Sequence, residues 1–386
     1  MRNITFICDS FFSNYYKERF HINFYKKKGI DIKILNVSKI IKPEYFYHFK
    51  KKIKTLKETI IDDNNLEKEI LKLNKSGLVI ACISKTTYSS KKIFYLLEKY
   101  KIRYSVILNT LPAVHSKRSN YEIIRDILQH PISAVGHIFR KFEIRRNKFN
   151  IKPNNIFFSG HILYSELKKE YPRVKLISIP HPDLDSVLIN KRKKNLIMKK
   201  FCKPLFISSY YLHPDYRFNP KLFLNEPRVN KEKYHAPLRV FFKDVCSITN
   251  SDSINIAEDP KRLDKTNLFK IGSNYFGKTL ELTKNSNFVI TLYSTAVNFA
   301  IILNKPIMFI TNDYFSPRAK RNISIMAKFF EKKPFNCSRE KFDKDRYLFE
   351  KKINFKKYDE YIKNFILGKK TSKLSCEIIL NYIKKV

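Results

Sequence analysis

Residues 288–310 read FVITLYSTAVNFAIILNKPIMFI, and this stretch decides the fold. The apolar run 288–291 predicts a buried strand, residues 295–303 predict a helix, and residues 307–310 predict a second buried strand. Strand, helix and strand joined by short connections are typical of a parallel β-α-β unit. Polar residues interrupt the apolar stretch repeatedly, so the pattern favours this unit over a membrane-spanning helix.

The same alternation of strand and helix continues through both halves of the chain. In the first half, apolar runs predict strands at residues 4–8, 31–37, 78–83, 104–108, 155–158 and 174–179. In the second half, they predict strands at residues 205–208, 254–257, 288–291 and 307–310. Such alternation favours parallel sheets covered by helices. We therefore predict an α/β protein of two Rossmann-like domains that face a cleft.

The length of 386 residues suits two domains that each bury a core. A basic, polar passage at residues 191–200 marks the predicted junction between them. The predicted domains are residues 1–195 and 200–350, and residues 351–386 are predicted to form terminal helices.

The chain is strongly basic, with 77 Lys and Arg against 35 Asp and Glu and a formal net charge of +42. Such a charge attracts nucleic acid, anionic lipid headgroups or phosphorylated substrates, and charge alone does not choose among them. A composition rich in Lys, Ile, Asn and Phe is also typical of an AT-rich genome. The helical pattern at residues 119–150 ends in a basic cluster, which is either a solvated face, slightly favoured, or a membrane-surface patch.

The cysteine pattern and the start of the chain predict a cytoplasmic protein. The six cysteines form no CxxC pair, and most lie in apolar runs, so we expect buried thiols in a reducing compartment. The first eight residues lead directly into a polar run and do not form a secretion signal. Any contact with a membrane is therefore expected to be peripheral.

Common signatures of cofactor and metal chemistry are missing from the sequence. It contains no P-loop, no HExxH, no GxGxxG and no paired CxxC. We therefore predict no metal site and no cofactor. With only seven glycines, the chain must hold any phosphate with helix ends, hydroxyl groups and basic side chains.

Two short segments of the second half are the predicted donor site. Tyr293, Ser294 and Thr295 lie where a predicted strand ends and a helix begins, and hydroxyl and backbone N–H groups at such a point stabilise a phosphate. Lys278 and Thr279 lie just before another predicted helix. The alternative is that these hydroxyls only cap their helices.

Carboxylates and a histidine follow predicted strands of the second half. Glu258 and Asp259 end the strand at residues 254–257, at the sheet edge where open α/β sheets bind ligands. His213 and Asp215 follow the strand at residues 205–208. These four residues are the candidate catalytic groups, either as a general base or as contacts to the substrate. A solvated or structural turn is the alternative in each case.

The first half offers two further candidates at the ends of strands. Asp9 and Ser10 end the first strand and are predicted to contact a second substrate across the cleft, with simple capping as the alternative. The sequence His181-Pro182-Asp183 follows the strand at residues 174–179 and repeats the type of turn seen at His213. Two such turns at equivalent positions favour a cleft between the domains.

Taken together, these motifs resemble a family of bacterial capsule and lipopolysaccharide glycosyltransferases with the GT-B fold. The resemblance covers most of the chain and is carried by Cys8-Asp9-Ser10, His213-Pro214-Asp215-Tyr216, Phe276-Gly277-Lys278-Thr279, Tyr293-Ser294-Thr295-Ala296 and Lys305-Pro306-Ile307. It implies that the first domain binds the acceptor, that the second binds the nucleotide-sugar donor, and that the terminal helices cross back to the first domain.

The family pattern is similar to that of sialyltransferases that use CMP-activated sugars. In those enzymes a His-Pro pair contacts the nucleotide and a Ser/Thr pair, matched here by Ser294 and Thr295, holds its phosphate. Where that pattern has Ala-His-Pro, this chain has Ala257-Glu258-Asp259-Pro260, so the histidine is missing.

The resemblance implies an inverting, metal-independent transfer of a sugar from a nucleotide donor to a glycan or glycolipid acceptor. A carboxylate or His213 would deprotonate the acceptor hydroxyl, while Lys278, hydroxyls and a helix N-terminus stabilise the departing phosphate. Its expected setting is surface-polysaccharide synthesis at the cytoplasmic side of the membrane, where an anionic surface is an expected partner.

Two other classes of function stay open. The missing histidine motivates a GT-B-fold sugar-nucleotide epimerase or a degenerate, non-catalytic homologue. The net charge and the interleaved Tyr and Phe motivate a nucleic-acid-binding protein. Because the basic residues spread along the whole chain, a specific nucleic-acid partner is disfavoured.

Overall fold

The computed structural model describes residues 3–50, 57–75, 77–83, 88–108, 151–192, 203–208, 231–259, 266–315, 317–367 and 372–385. These residues form two parallel β-sheets covered by helices, one of seven strands and one of six. The predicted α/β fold class is confirmed. The basic segment 119–150 and the candidate residues His213 and Asp215 lie outside the described residues.

The seven-stranded first sheet has the order β3-β2-β1-β4-β5-β6-β7. Its strands are β1 Asn3–Cys8, β2 Asp31–Asn36, β3 Thr59–Ile60, β4 Leu78–Cys82, β5 Tyr104–Leu108, β6 Asn155–Phe158 and β7 Lys175–Ser178. All pairs are parallel. The strand order reverses between β1 and β4, and open sheets bind ligands at the carboxyl ends beside such a point.

The six-stranded second sheet has the order β10-β9-β8-β11-β12-β13 and is also parallel. Its strands are β8 Leu205–Ile207, β9 Asn255–Glu258, β10 Ser273–Phe276, β11 Val289–Thr291, β12 Ile307–Thr311 and β13 Phe335–Asn336. Its order reverses between β8 and β11, beside the predicted donor segment. The stretch that decided the fold is therefore the centre of this sheet.

The helices that cover the first sheet are short. They are α1 Asn14–Arg19, α2 Ile22–Lys27, α3 Ser38–Ile41, α4 Pro43–Phe49, α5 Leu66–Leu71, α6 Tyr88–Lys99, α7 His161–Glu170 and α8 Pro182–Arg192, with a 3-10 turn at Lys72–Lys75. His21 adopts a left-handed backbone (φ 53°) that separates α1 from α2. Sequence predicted a turn at 181–185, where α8 begins with Pro182 in its first turn, a position that tolerates the missing N–H.

The helices of the second half are α9 Lys231–Ile248, α10 Thr279–Lys284, α11 Val297–Ile302, α12 Pro317–Phe329, α13 Lys344–Glu350, α14 Phe355–Tyr361 with a π-helical turn at Ile362–Ile366, and α15 Ser375–Lys385. Strand β10 was missed from sequence because its residues, SNYF, are exposed or half-buried at the sheet edge and form no apolar run. Within the described ranges, no helix has the length and apolar character needed to cross a lipid bilayer.

Alternate residues of the longer strands of the first sheet pack into different cores. Ile7 of β1 belongs to one apolar cluster, whereas its neighbour Phe6 belongs to the cluster on the other face. This division follows from the two-residue period of a strand. A separate, larger cluster surrounds the second sheet.

The end of the chain contacts both sheets. Tyr358 and Tyr361 of α14 pack in the second-sheet core, whereas Cys376 and Ile379 of α15 pack against the first sheet. The crossing passes Gly160, at the start of α7, where an added Cβ would lie 2.2 Å from the backbone oxygen of Asn364.

Replacing Gly160 with alanine should therefore destabilise the fold strongly. Gly160 has φ +86°, and the added methyl would also collide with backbone of the crossing segment. Gly29 is the matched control, because it has φ +71° but no atom within 4 Å of an added Cβ. We expect Gly29→Ala to cost about 1–2 kcal/mol of unfolding free energy from backbone strain alone. Gly160→Ala should cost at least about 2 kcal/mol more from overpacking.

Denaturant unfolding of both variants measures this difference. Equal losses in the two variants would show that the crossing segment does not press against Gly160 in solution.

Candidate functional site

A cleft of about 400 Å³ lies between the carboxyl end of the second sheet and helices α1 and α8 of the first-sheet half. From the second sheet it is lined by Glu258, Asp259, Lys278, Thr279, Ser294 and Thr295, among others. From the first-sheet side it is lined by Tyr15, Glu18, Arg19, Asp183, Ser186 and Asn190. Six of the candidate residues from the sequence thus share one opening, although they are spread over almost forty positions of the chain.

The turn between β11 and α11 holds Ser294 and Thr295 at the cleft. The Ser294 hydroxyl oxygen accepts a hydrogen bond of 3.2 Å from the backbone N–H of Ala296. Helix α11 begins three residues later, so this turn presents hydroxyl groups beside a helix N-terminus. Ser294 therefore stabilises the turn and does not cap α11, whose N-cap residue is Ala296 with no side-chain hydrogen bond, and its hydroxyl lies where a phosphate would meet hydroxyl donors.

The loop between β10 and α10 brings a cation and a second hydroxyl to the same wall. Gly277 has φ +72°, which lets the chain turn sharply from the strand into the helix. Lys278 is exposed in the cleft, and Thr279 is the first residue of α10. A lysine ammonium group at a helix start is suited to an anionic ligand.

Two carboxylates end β9 on the same side of the cleft. Glu258 is 4% exposed although it lines the opening, and Asp259 is half-buried. Burial and the nearby Glu258 carboxylate together raise the pKa of the Tyr234 phenol. Glu258 therefore lies deep in the wall, and Asp259 lies closer to its mouth.

The opposite wall is formed by α1 and the start of α8. The Arg19 guanidinium donates a 2.8 Å hydrogen bond to the Tyr15 hydroxyl and lies 3.7 Å from an Asp183 carboxylate oxygen. Glu18, the neighbouring residue of α1, is exposed at the cleft. This wall thus offers one cation and one exposed carboxylate directly across from the hydroxyl and lysine groups.

Comparison with solved structures identifies the fold. The chain superposes on UDP-GlcNAc 2-epimerase from Methanocaldococcus jannaschii over 100% of both chains, with 14% identity and a TM-score of 0.51. MurG from Acinetobacter baumannii matches over 100% of both chains with 8% identity and a TM-score of 0.48. Neither a protein-family model nor a curated protein sequence matches this chain.

The chain has a GT-B fold. Two parallel sheets covered by helices, with a cleft between the two halves and a terminal helix that returns to the first sheet, form this architecture. The likeness establishes the fold only, because the sequence identity is low. The chemistry has to be inferred from the side chains of this cleft.

Behind the cleft of this GT-B fold, a buried polar network joins the two sheets. The Asn298 amide of α11 donates a 2.8 Å hydrogen bond to the Asp183 carboxylate, and its oxygen accepts a 2.8 Å bond from the Tyr361 hydroxyl. All three side chains are buried. The helix that follows the Ser294 turn is thereby tied to the opposite wall of the cleft.

A second buried carboxylate joins the first sheet to the end of the chain. Asp185 is fully buried, 2.8 Å from His21 Nε2, and it accepts hydrogen bonds from the backbone N–H and the hydroxyl of Ser375. The pair Asp183 and Asp185, which has DxD spacing in the sequence, is therefore occupied by protein contacts. In the part of the chain that the structure describes, no group of three or more His, Cys, Asp or Glu side chains could hold a metal ion.

Three candidate residues lie away from the cleft wall. Asp9 forms a 3.2 Å ion pair with Lys42 and accepts a 3.2 Å hydrogen bond from Ser10, and neither residue is among the described residues that line the cleft. Both follow β1, as expected, but Asp9 contacts Lys42 between α3 and α4. Tyr293 packs against the second-sheet core instead of lining the opening.

Arg19, Glu18 and Asn298 were missed in the sequence analysis. Arg19 and Glu18 were given no role in the site, because only the tertiary fold turns α1 towards the cleft. Asn298 carried a usable signal, since an amide within an otherwise apolar helix has to find a polar partner when it is buried.

His181 supports this network as a neutral imidazole. Its Nδ1 accepts a 3.2 Å hydrogen bond from the backbone N–H of Asp183. Burial lowers the pKa of His181, the Arg19 charge lowers it further, and the Asp183 charge opposes this effect. The neutral form is therefore the one that fits the folded state.

The wild-type protein should lose stability as the pH falls through the range in which His181 protonates in the unfolded chain. A histidine pKa that is lower in the folded state makes the unfolded state bind more protons, so the unfolding free energy falls with decreasing pH. His181→Asn keeps an acceptor and cannot be protonated. We expect its loss between pH 7.5 and 5.5 to be smaller than the wild-type loss by about 1 kcal/mol.

Denaturant unfolding at several pH values provides the measurement. His161→Asn, at an exposed position on α7, is the control and should follow the wild-type curve. A His181→Asn curve with the wild-type slope would contradict the neutral, buried imidazole.

Proposed function

We propose that this chain is a glycosyltransferase that moves a sugar from a nucleotide-activated donor to a hydroxyl group of a glycan or glycolipid acceptor. The supporting observation is that Ser294, Thr295, Lys278 and Thr279 line one wall of a single cleft, across from the Arg19 and Glu18 wall. Groups that hold a phosphate and groups that meet a second substrate thus face each other.

A CMP-activated sugar is the favoured donor. The Ser294-Thr295 pair matches the phosphate-binding pair of CMP-sugar sialyltransferases, and it precedes a helix N-terminus. Phosphate charge that develops as the sugar leaves would be stabilised there by hydroxyl groups, N–H groups and the Lys278 ammonium. The expected setting is bacterial surface-polysaccharide synthesis, as the family resemblance implies.

Glu18 is our proposed general base. In an inverting transfer the acceptor hydroxyl attacks the anomeric carbon from the side opposite the leaving phosphate. If the second-sheet wall holds the phosphate, the base has to lie on the first-sheet wall. Glu18 is an exposed carboxylate there, whereas Asp183 already accepts a hydrogen bond from Asn298. Glu258 and Asp259, on the phosphate side, are then contacts to the nucleotide.

A sugar-nucleotide epimerase is the second candidate. Glu258 and Asp259 stand where the transferase pattern has a histidine, and Glu18 faces them across the same cleft. Carboxylates on both sides of a bound sugar are suited to removing a proton from one face and returning it to the other. An epimerase converts a nucleotide sugar with no acceptor present, and NMR of the donor incubated with the protein alone distinguishes the two activities.

Nucleotide binding should depend on the Ser294 turn. CMP at about 100 times its Kd should raise the unfolding free energy by about 2.7 kcal/mol. The double variant Ser294→Ala/Thr295→Ala should lose most of this stabilisation, because it removes both hydroxyl groups. Ser273→Ala makes the same chemical change at the amino end of β10, away from the cleft, and should respond like the wild type.

Thermal unfolding with CMP, UDP, GDP and their sugars provides this comparison. Stabilisation by UDP or GDP alone would show that the donor carries that nucleotide instead of CMP, and the proposed binding site would stand. No response to any nucleotide would refute the proposed function and favour a non-catalytic homologue.

Removing the Glu18 carboxylate should abolish transfer without weakening donor binding. A general base contributes about 10²–10⁴-fold to the rate, so we expect kcat of Glu18→Gln to fall by at least about 100-fold. The nucleotide-induced thermal shift should stay unchanged. Glu44→Gln, at an exposed position of α4, is the control.

Steady-state kinetics with a donor identified by thermal unfolding tests this assignment. A near-normal kcat in Glu18→Gln, together with a large loss in Asp259→Asn, would place the base on the opposite wall.

A further inference from the structure

A second cavity, of about 410 Å³, lies within the first-sheet half of the molecule. We call it the first-sheet cavity, and its lining includes Phe6, Phe20, Ile80, Cys82, Ile107 and Ile179. These side chains belong to one apolar cluster at the strand-order reversal between β1 and β4. Its volume is within the range of roughly 300–1,000 Å³ that small-molecule sites occupy.

The first-sheet cavity adjoins the cleft. Arg19 and Pro182 line both spaces, so the α1 wall of the cleft is also a wall of the cavity. A ligand in the cavity would therefore extend towards the donor wall past one guanidinium group.

Arg19 is equipped to bind an anion at this junction. Within the described residues, its polar partners are the Tyr15 hydroxyl at 2.8 Å and the Asp183 carboxylate at 3.7 Å. A guanidinium carries five N–H donors, so most of them are not used by these two contacts. The Asp183 oxygens are shared with Asn298, which limits how far they neutralise the cation.

We propose that the first-sheet cavity binds the apolar part of the sugar acceptor, whose neighbouring anionic group, a phosphate or carboxylate, pairs with Arg19. This inference rests on the proposed transferase function, and it narrows the acceptor to an anionic amphiphile. The lining is mainly apolar, and two of its polar side chains, His21 and Ser375, already contact Asp185, so a bare oligosaccharide would leave most of its hydroxyls without hydrogen-bond partners there. The acceptor hydroxyl then lies beyond the anion, at the Glu18 wall.

Octyl phosphate, below its micelle concentration, is a probe that combines the two features. Isothermal titration calorimetry should show binding of octyl phosphate, and weaker binding of octanol, which lacks the charge, and of inorganic phosphate, which lacks the chain. Arg19→Gln should weaken octyl phosphate binding about tenfold, because it removes a charge-assisted hydrogen bond. Arg173→Gln removes an exposed guanidinium that lines neither the cavity nor the cleft and should have no effect.

Filling the cavity provides a second test. Cys82→Phe places a larger side chain in the lining and should abolish octyl phosphate binding. If this variant does not fold, Phe20→Trp replaces it. The chain contains no tryptophan, so the new side chain is the only indole, and its emission should change on binding with the Kd measured by calorimetry.

Equal affinities for octyl phosphate and inorganic phosphate, or unchanged binding in Cys82→Phe, would overturn the proposal. An indole emission that octyl phosphate leaves unchanged in Phe20→Trp would overturn it as well. Nucleotide-induced thermal shifts separate this failure from failure of the proposed function. If nucleotides bind and octyl phosphate does not, only the cavity proposal fails. If octyl phosphate binds and no nucleotide does, the cavity is a ligand site and the transferase proposal fails.

The source of the amphiphile is distinguished with vesicles that contain phosphatidic acid. Once octyl phosphate binding is established, co-sedimentation that Cys82→Phe reduces would identify a membrane lipid as the source of the apolar chain. Co-sedimentation that this variant leaves unchanged would reflect the basic surface alone and would identify a soluble acceptor.

Discussion

A buried hydrogen bond of 2.8 Å between Asn298 and Asp183 is the contact on which the cleft depends. It joins α11, which follows the Ser294 turn, to α8, which belongs to the opposite wall. Removing the Asn298 amide would take this hydrogen bond from the Asp183 carboxylate, and a hydrogen bond to a charged group typically contributes about 1.5–3 kcal/mol. Tyr361 completes the link from the crossing segment. The two walls are therefore held in register by polar contacts, which require more exact geometry than apolar packing does.

The fold could be predicted from sequence because it depends on local apolar patterns. Runs such as residues 288–291 are buried on both faces, as central strands of parallel sheets are, and turn residues punctuate them clearly. Strand β10 was not predicted, because an edge strand needs no apolar run. The break between α1 and α2 at His21 was not predicted, because no sequence pattern indicates a left-handed backbone at a histidine.

The candidate site was predictable only on its second-sheet wall. Ser294 and Lys278 follow strands directly, so the carboxyl-end rule for parallel sheets places them at one edge. The opposite wall depends on contacts across more than a hundred positions of sequence, such as Asn298 with Asp183, and these are single polar pairs with no periodic signature. The histidine turn at residue 181 was recognised, but its role is structural, because burial keeps His181 neutral as a hydrogen-bond acceptor.

The same network sets the charge that an acceptor would meet. Asp183 accepts a hydrogen bond from Asn298 and lies 3.7 Å from Arg19. The carboxylate that joins the two walls of the cleft therefore also partly neutralises the positive charge of Arg19. Loss of the Asp183 carboxylate would loosen the walls and strengthen the field at the cavity mouth at once, and these effects oppose each other for an anionic ligand. Asn298→Leu removes the hydrogen bond between the walls and leaves the Asp183 charge in place. Comparing anion binding after loss of the Asp183 carboxylate with anion binding in Asn298→Leu therefore separates two contributions of the network: the positions of the cleft walls and the charge near Arg19.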